Sequence, residues 1–595
     1  MALNTTDWII VILFFIALIT IGILAGRKAG KNTSEFFLSG RNMPWWLLGV
    51  SMVATTFSCD TPNLVTDMVR QGGVAGNWLW WAFLLTGMLT VFIYAKLWNR
   101  SKVMTDLEFY EIRYSGKVAA FLRGFRAVYL GALFNILVIA SVSIALIKIG
   151  GVMLGWSPAK ILIIAAIVVV FYSTIGGLKS ILFTDFFQFS LAMAGAIGAA
   201  IILVRNEAGG LEAMLSHPQV ADKLSILPDL SNRDMVISLL VIPLAVQWWS
   251  VWYPGAEPGG GGYIAQRMLS AKDEKNAMGA TLLFNFFHYA LRPWPWILVA
   301  LASLVVFPDL QSLRDAFPNL GPQYIKHDFA YPAMLRLLPH GFLGLVVASL
   351  IAAFMSTTAS QINWGSSYIV NDFYARFIKP DATEKQKVRA GRISTVVLMT
   401  LAVFFALLLE NALQAFHILL QIGAGTGLIY IMRWFWWRIN AYTELTGMIV
   451  SFLVALTFAF IERFTAIELT ASFKILTGVG ITTVSWLIVT LLTQPVDKEK
   501  LRSFYTKIRP GGPGWKRIVE EAEAEGIELT KEKDLKWDVP TGVLCMVLGS
   551  IAVYSCLFAT GQFIYGKIPE ALIFSAISVS SAIVLSRYWK KLRMS

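Results

Sequence analysis

The chain has 595 residues, 56% hydrophobic and only 15% charged, with a mean hydropathy of +0.63 and a formal charge of +13. Soluble domains carry about 25% charged residues, so this composition excludes a soluble protein and leaves a polytopic helical membrane protein whose partner is the lipid bilayer. The excess Lys and Arg lie in short loops, which membrane topology explains without nucleic acid.

The first residues, MALNTTDW, lack the basic region of a cleaved signal peptide, so the first apolar segment is expected to stay. Apolar runs long enough to span a bilayer, about 18 residues or more, recur along the chain. They lie near 8–25, 45–70, 76–98, 119–150, 159–176, 181–204, 235–254, 276–307, 332–373, 388–410, 412–438, 442–463, 471–493, 539–561 and 567–588, which predicts about fifteen spans. A run as long as 332–373 must tilt or protrude. Cys59, Cys545 and Cys556 lie in or beside apolar segments and form neither a disulfide framework nor a metal-binding spacing.

Lys and Arg set the orientation. One set of loops carries Arg27, Lys28, Lys31, Arg41, Lys96, Arg100, Lys102, Arg267, Lys272 and Lys275, then Arg376, Lys379, Lys385, Lys387, Arg389 and Arg392. The alternate loops, 206–234 and 308–331, hold few. The positive-inside rule then predicts an N-terminus outside and the basic C-terminal SRYWKKLRMS in the cytoplasm. The cytoplasmic loop 494–538, with Pro510-Gly511-Gly512-Pro513, reads as a linker or peripheral piece.

Two spans look discontinuous. In VATTFSCDTPNLV, Asp60 can cap a helix restart and Pro62 suits its first turn, leaving 54–59 unwound with free carbonyls. The stretch 253–262, YPGAEPGGGG, cannot continue a helix, and a half-helix over 263–271 should follow. An ordinary loop is the plainer reading, but the basic YIAQRMLSAK would then need its own half-span. The breaks open two blocks of five spans, 45–204 and 235–438. Paired broken helices in two halves point to a transport site at the membrane midplane.

The stretch 341–374 passes from an apolar half into small polar residues. Ser356, Ser360 and Asn363 share one helical face and Thr357 sits one residue round from it. Small hydroxyl residues pack membrane helices closely; their oxygens can equally ligate a hard cation together with carbonyls from a broken neighbour.

The segment 172–188, YSTIGGLKSILFTDFFQ, resembles a signature of the sodium:solute symporter family in its GG-x-K-x(4)-TD-x-x-Q pattern. The 341–374 stretch resembles the second family signature, with AA-x-MST, S-x-x-N and a terminal ND-x-Y, and GYIAQRMLSAKD resembles the family's QR-x-L-x-AKD motif. The likeness covers roughly 8–460. It implies the five-plus-five inverted-repeat fold of the leucine transporter, extended by N-terminal and C-terminal helices. The expected divisions are 1–42 (extra helix and cytoplasmic link), 43–205 (first repeat), 206–234 (extracellular loop), 235–440 (second repeat) and 441–595 (peripheral helices).

The resemblance also implies the coupling ion, sodium, and its ligands: carbonyls of Ala54, Phe57 and Ala353 and hydroxyls of Ser356 and Thr357. A second sodium in some members uses an acid at Asp185, with Ser356 and Ser360 placed to help, although Ala359 stands where a hydroxyl is usual. Without a sodium, Asp185 would cap a helix. Candidates for the solute site are Thr56, Gln247, Trp248, Trp249, Glu257, His288, His417 and Gln421, a set of aromatic and amide groups suited to a sugar or sugar-like acid. Thr56 stands where proline carriers have an acid and sugar carriers an amide; His288 aligns with a sugar-contacting lysine.

The function expected is sodium-coupled symport of a small polar solute in the plasma membrane by a monomer, with an amino-acid or carboxylate symporter as the alternative. A membrane enzyme would need clustered acid–base groups, yet His217, His288, His327, His340 and His417 are scattered. A solute sensor would need a signalling domain. A proton-coupled carrier would have a cationic group in place of the main sodium, and no Lys or Arg is expected near Ser356, which disfavours it.

Overall fold

The computed structural model describes residues 3–27, 29–250, 257–318, 325–408, 426–465, 467–529 and 537–592. These residues are helical with irregular connections, and eleven of their helices are long and apolar enough to cross a membrane. In chain order the elements are α1 (Thr5–Ala25), α2 (Trp45–Thr55), α3 (Thr61–Gly72), α4 (Val74–Ser101), α5 (Gly116–Gly151) and α6 (Pro158–Asn206). The second half has the irregular α7 (233–245), α8 (Gly262–Ser270), α9 (Glu274–Val306), α10 (Phe342–Ile378), α11 (Glu384–Leu408) and α12 (Gly427–Phe435). Four further helices follow: α13 (Ala441–Phe464), α14 (Ala471–Leu492), α15 (Val539–Ile564) and α16 (Ile568–Trp589).

The predicted spans 159–176 and 181–204 form one 49-residue element, α6, whose chain turns at Gly177, φ 52° and ψ −155°. That turn requires glycine: a Cβ there would lie 2.5 Å from the Phe36 carbonyl oxygen. Its neighbour Gly176 meets Gly26 of α1 so closely that a Cβ on Gly26 would fall 2.2 Å from the Gly176 Cα. The Gly-Gly pair of the 172–188 motif is therefore a packing requirement.

The long run 332–373 does not form one helix. It is interrupted at Gly341, φ 85°, and α10 starts at Phe342. The start is pinned to α1, because buried Asp7 accepts from the amides of Gly341 (2.6 Å) and Gly344 (2.8 Å). Asp7 also completes a capping box with Asn4 at the α1 N-terminus.

Burial ranks the layers. In its most apolar window α10 is 83% buried, whereas α1 is 22% and α16 is 11% buried. The central helix is thus the one carrying the hydroxyl face, with α6 and α1 packed along it and α2, itself backed by α9, on another side. The described part of the segment, 494–529, folds against the core: helix Lys498–Ile508 and the turn Pro513–Trp515, which leads into helix Lys516–Ala524, bring Phe504 and Trp515 beneath Phe109 and Trp434. Trp515 Nε1 donates to the Trp434 carbonyl at 2.9 Å.

Candidate functional site

The first break falls at 56–60, slightly later than the predicted 54–59. Asp60 stands at the N-cap of α3 but its side chain caps nothing; the Ser58 amide donates to Thr61 Oγ1 instead, at 3.2 Å. Pro62 occupies the first turn of α3. Ala54 remains in the last turn of α2, where its carbonyl accepts from the Phe57 amide at 3.2 Å.

The hydroxyl face of α10 meets this break. Thr357 Oγ1 donates to the carbonyls of Thr55 (3.0 Å) and Phe57 (3.1 Å), two groups that the broken helix leaves without helical partners. Ala353, Ser356 and Thr357 are all buried. Oxygens of this kind, brought together from two elements inside an apolar bundle, are the ligand chemistry of a hard cation.

One turn away lies a charged cluster. Buried Asp185 of α6 accepts from Ser51 (2.5 Å) and Ser356 (2.7 Å). Arg267 of α8 places Nη2 3.8 Å from the Asp185 carboxylate and donates to Ser360 at 2.6 Å. Ser360 Oγ also meets Thr55 Oγ1 at 2.8 Å. This corrects the expectation that no cation lies near Ser356. Arg267 is distant in sequence, but the half-helix after the second break carries it to the acid that binds Ser356. The guanidinium faces the same groups, Asp185 and Ser360, that a second sodium would use.

The solute candidates divide. Thr56 and His288 meet, with Oγ1 and Nδ1 3.4 Å apart. His288 lies on a π-helical turn of α9, Phe287–Leu291, and packs on Trp80 with ring centroids 5.4 Å apart. π-turns often mark functional positions. Arg292 joins them: its Nη1 lies 3.2 Å from the Val53 carbonyl and 3.4 Å from Thr56 Oγ1. Gln247, Trp248 and Trp249 are half-buried on a short 3-10 turn after α7. Gln247 donates to the Leu79 carbonyl at 2.9 Å and Trp249 to its own helix at Ala245.

Glu257 keeps different company. Residues 257–261 are non-helical and the half-helix α8 begins at Gly262, as the composition of 253–262 predicts for this part of the break. Glu257 is buried and pairs with Arg126 of α5 at 2.6 Å, while Arg126 also donates to Tyr430. Asp106, partly buried in the turn between α4 and α5, accepts from the Gly262 amide at 2.9 Å and from the Tyr368 hydroxyl. Burial, and then the negative charge of Glu257, pushes the Asp106 carboxyl up to about 6 against those hydrogen bonds. His417 and Gln421, with residues 253–256 of the break, lie outside the described residues.

Three arginines were not among the sequence candidates: Arg126, Arg267 and Arg292. The signal for Arg292 was available. It stands in FHYALRPWPWILVALASLVV, where the nearest acids in sequence are Glu274 and Asp309. A charge in such a run is costly enough to demand a reason.

Comparison with known proteins agrees with this architecture. The chain is 26% identical over 480 residues to a sodium/glucose cotransporter of Vibrio parahaemolyticus, covering 77% of this chain and 86% of that protein. It is 28% identical over 573 residues to a sodium/myo-inositol cotransporter of Canis lupus familiaris, covering 85% of this chain and 76% of that one. A solved Na+-coupled sialic acid symporter in a substrate-bound outward-open state superposes with a TM-score of 0.66 at 19% identity, over 83% of this chain and 99% of that one, and so shares the fold. The sodium:solute symporter family model matches residues 36–451, and the chain belongs to that family.

Proposed function

We propose that this protein is a sodium-coupled symporter that takes up a small polar organic solute, a sugar or sugar-like acid, by alternating access. The observation that carries it is the contact of Thr357 with the Thr55 and Phe57 carbonyls. A sodium ion entering there replaces the hydroxyl proton as the partner of those carbonyls and takes the Thr357 oxygen as a further ligand. Ala54, Ala353 and Ser356 complete the proposed set. Cation binding then ties the broken α2–α3 to α10, and the sodium gradient biases which face of the bundle opens. Inward flow contributes about 2.3 kcal/mol per charge per 100 mV.

The solute is proposed to sit beside Thr56 and His288, with Gln247 and Trp248 on the neighbouring turn. Relatives named for glucose and myo-inositol support a hydroxyl-rich solute. An amino-acid or carboxylate symporter is the second reading, favoured by the cationic Arg292 at the same place. The orientation proposed, N-terminus outside and C-terminus cytoplasmic in the plasma membrane, rests on the Lys and Arg distribution. In proteoliposomes, solute uptake is expected to require an inward sodium gradient. Equal uptake with potassium in place of sodium refutes the proposal.

A further inference from the structure

Arg292 stands out among the buried charges. It lies mid-way along α9 and is 1% exposed. Among the described residues only Nη1 is hydrogen-bonded, to the Val53 carbonyl and Thr56 Oγ1, and the buried Nε has no partner. Among the described residues no carboxylate lies within ion-pair distance of it; the ionisable groups around it are the His288 imidazole, which shares Thr56 Oγ1 with it, and the phenols of Tyr289 and Tyr263, none of which supplies a counter-charge. The rings of Phe57 and Trp296, 5.0 Å apart, flank the guanidinium at 5.8 and 5.2 Å. The buried Trp296 Nε1 also lacks an acceptor.

Other core arginines are treated differently. Arg267 faces Asp185 and Arg126 pairs with Glu257. Arg113 makes no ion pair among the described residues and its Nη1 also lacks a partner there, but Glu444 acts on its charge and it spends Nε and Nη2 on the carbonyls of Arg433, Trp436 and Trp437. Arg292 has neither arrangement. A cation inside a membrane bundle is costly unless a counter-charge meets it, and the unused edge of a guanidinium fits a carboxylate with two parallel hydrogen bonds. The plain alternative is that Arg292 only caps the end of the broken helix α2 at Val53. A cap needs one donor and leaves the remaining donors unexplained.

We propose that the transported solute carries a carboxylate and that this group pairs with Arg292 in the bound state. Thr56 and His288 then hold the adjacent hydroxyl or second oxygen, and the Phe57 and Trp296 rings keep the guanidinium plane fixed and dry. The proposal rests on the symport reading above and narrows its substrate class from polar solutes to organic anions.

The test uses the full chain in proteoliposomes and in detergent. The probes are D-glucose, D-glucuronate, which differs from it by a carboxylate on the same ring, and a short carboxylate, L-lactate. At least one carboxylate is expected to be taken up with sodium, or to compete, at about a hundredfold lower concentration than glucose. Arg292→Gln should erase that difference and Arg292→Lys should retain part of it. Both variants should keep the thermal stabilisation by sodium alone, which reports an intact fold and cation site. Glucose matching the carboxylates in the wild type overturns the proposal. So does a carboxylate preference that survives Arg292→Gln, or a wild type that sodium stabilises but no carboxylate engages. Each of these leaves sodium coupling standing. Loss of the symport reading itself looks different: no uptake responds to sodium, and sodium does not stabilise the protein.

Discussion

Asp185→Asn tests what balances the charge beside the proposed cation site. Asp185 and Arg267 are both 0% exposed and their nearest atoms are 3.8 Å apart. At that separation an effective dielectric of about 20 gives an attraction of about 4 kcal/mol. The amide removes it and also turns one acceptor into a donor, so either Ser51 or Ser356 loses its acceptor. Breaking such a pair from one side costs about 3–5 kcal/mol, because Arg267 stays buried without its counter-charge. The expected result is a large fall in the apparent melting temperature in detergent. Arg267→Met should cost a similar amount, and the double variant should cost clearly less than the sum, with a coupling of about 2 kcal/mol or more. If Arg267 is the counter-charge, the number of sodium ions carried per solute, read as current per solute flux, should not change in whatever Asp185→Asn protein survives. Additive costs together with a lower sodium count refute this reasoning and assign the carboxylate to a second sodium.

Two further outcomes are expected. Ser356→Ala or Thr357→Ala should lower apparent sodium affinity about tenfold or more, beyond a stability loss of about 1–3 kcal/mol from the buried acceptor each leaves unpaired; unchanged sodium dependence in both returns these hydroxyls to helix packing. Glu257→Gln should weaken solute affinity, measured by calorimetry at saturating sodium, while sodium stabilisation persists, because the proposed cation oxygens lie on α2 and α10; wild-type solute affinity in that variant removes Glu257 from the solute path.

Many span positions were legible because bilayer thickness imposes long apolar runs, and the second break because Pro and Gly cannot continue a helix; fifteen spans were expected against eleven long apolar helices among the described residues, and residues 412–425 of the predicted span 412–438 lie outside them. The detail of the first break was less legible. Asp60 has the residue type and position of a cap, yet its carboxyl turns to Ser58 and the adjacent Thr61 amide and makes no cap bond further into the helix, a choice that residue type alone does not reveal. Gly177 was visible only as part of a motif; its reason, the Phe36 carbonyl 2.5 Å from any Cβ, lies on another element. The hydroxyl face of α10 followed from helical periodicity alone. Its partners did not, since hydrogen bonds between residues some three hundred positions apart leave no local trace.

The buried arginines show the same limit from the side of charge. Reading Ser356 in sequence gave no neighbouring cation, yet α8 delivers Arg267 to the acid that binds it. A half-helix that starts inside the bundle carries its basic residue into the core, so the second break and the placement of Arg267 have one cause. Charge counting over the assembled bundle then separates functions that sequence merges. The pairs Arg126–Glu257 and Arg267–Asp185 tie α8 and the residues just before it to α5 and α6. Both pairs balance their charges inside the bundle, although Glu257 keeps one buried oxygen without a partner among the described residues. Arg292 ties nothing of opposite sign together among the described residues, and it stands beside Thr56 and His288, where the solute is proposed to bind. If the solute carries a carboxylate as proposed, an unbalanced cation at that position raises the affinity for it in whichever state encloses it, and the charge that is costly to bury in the empty site then serves selectivity.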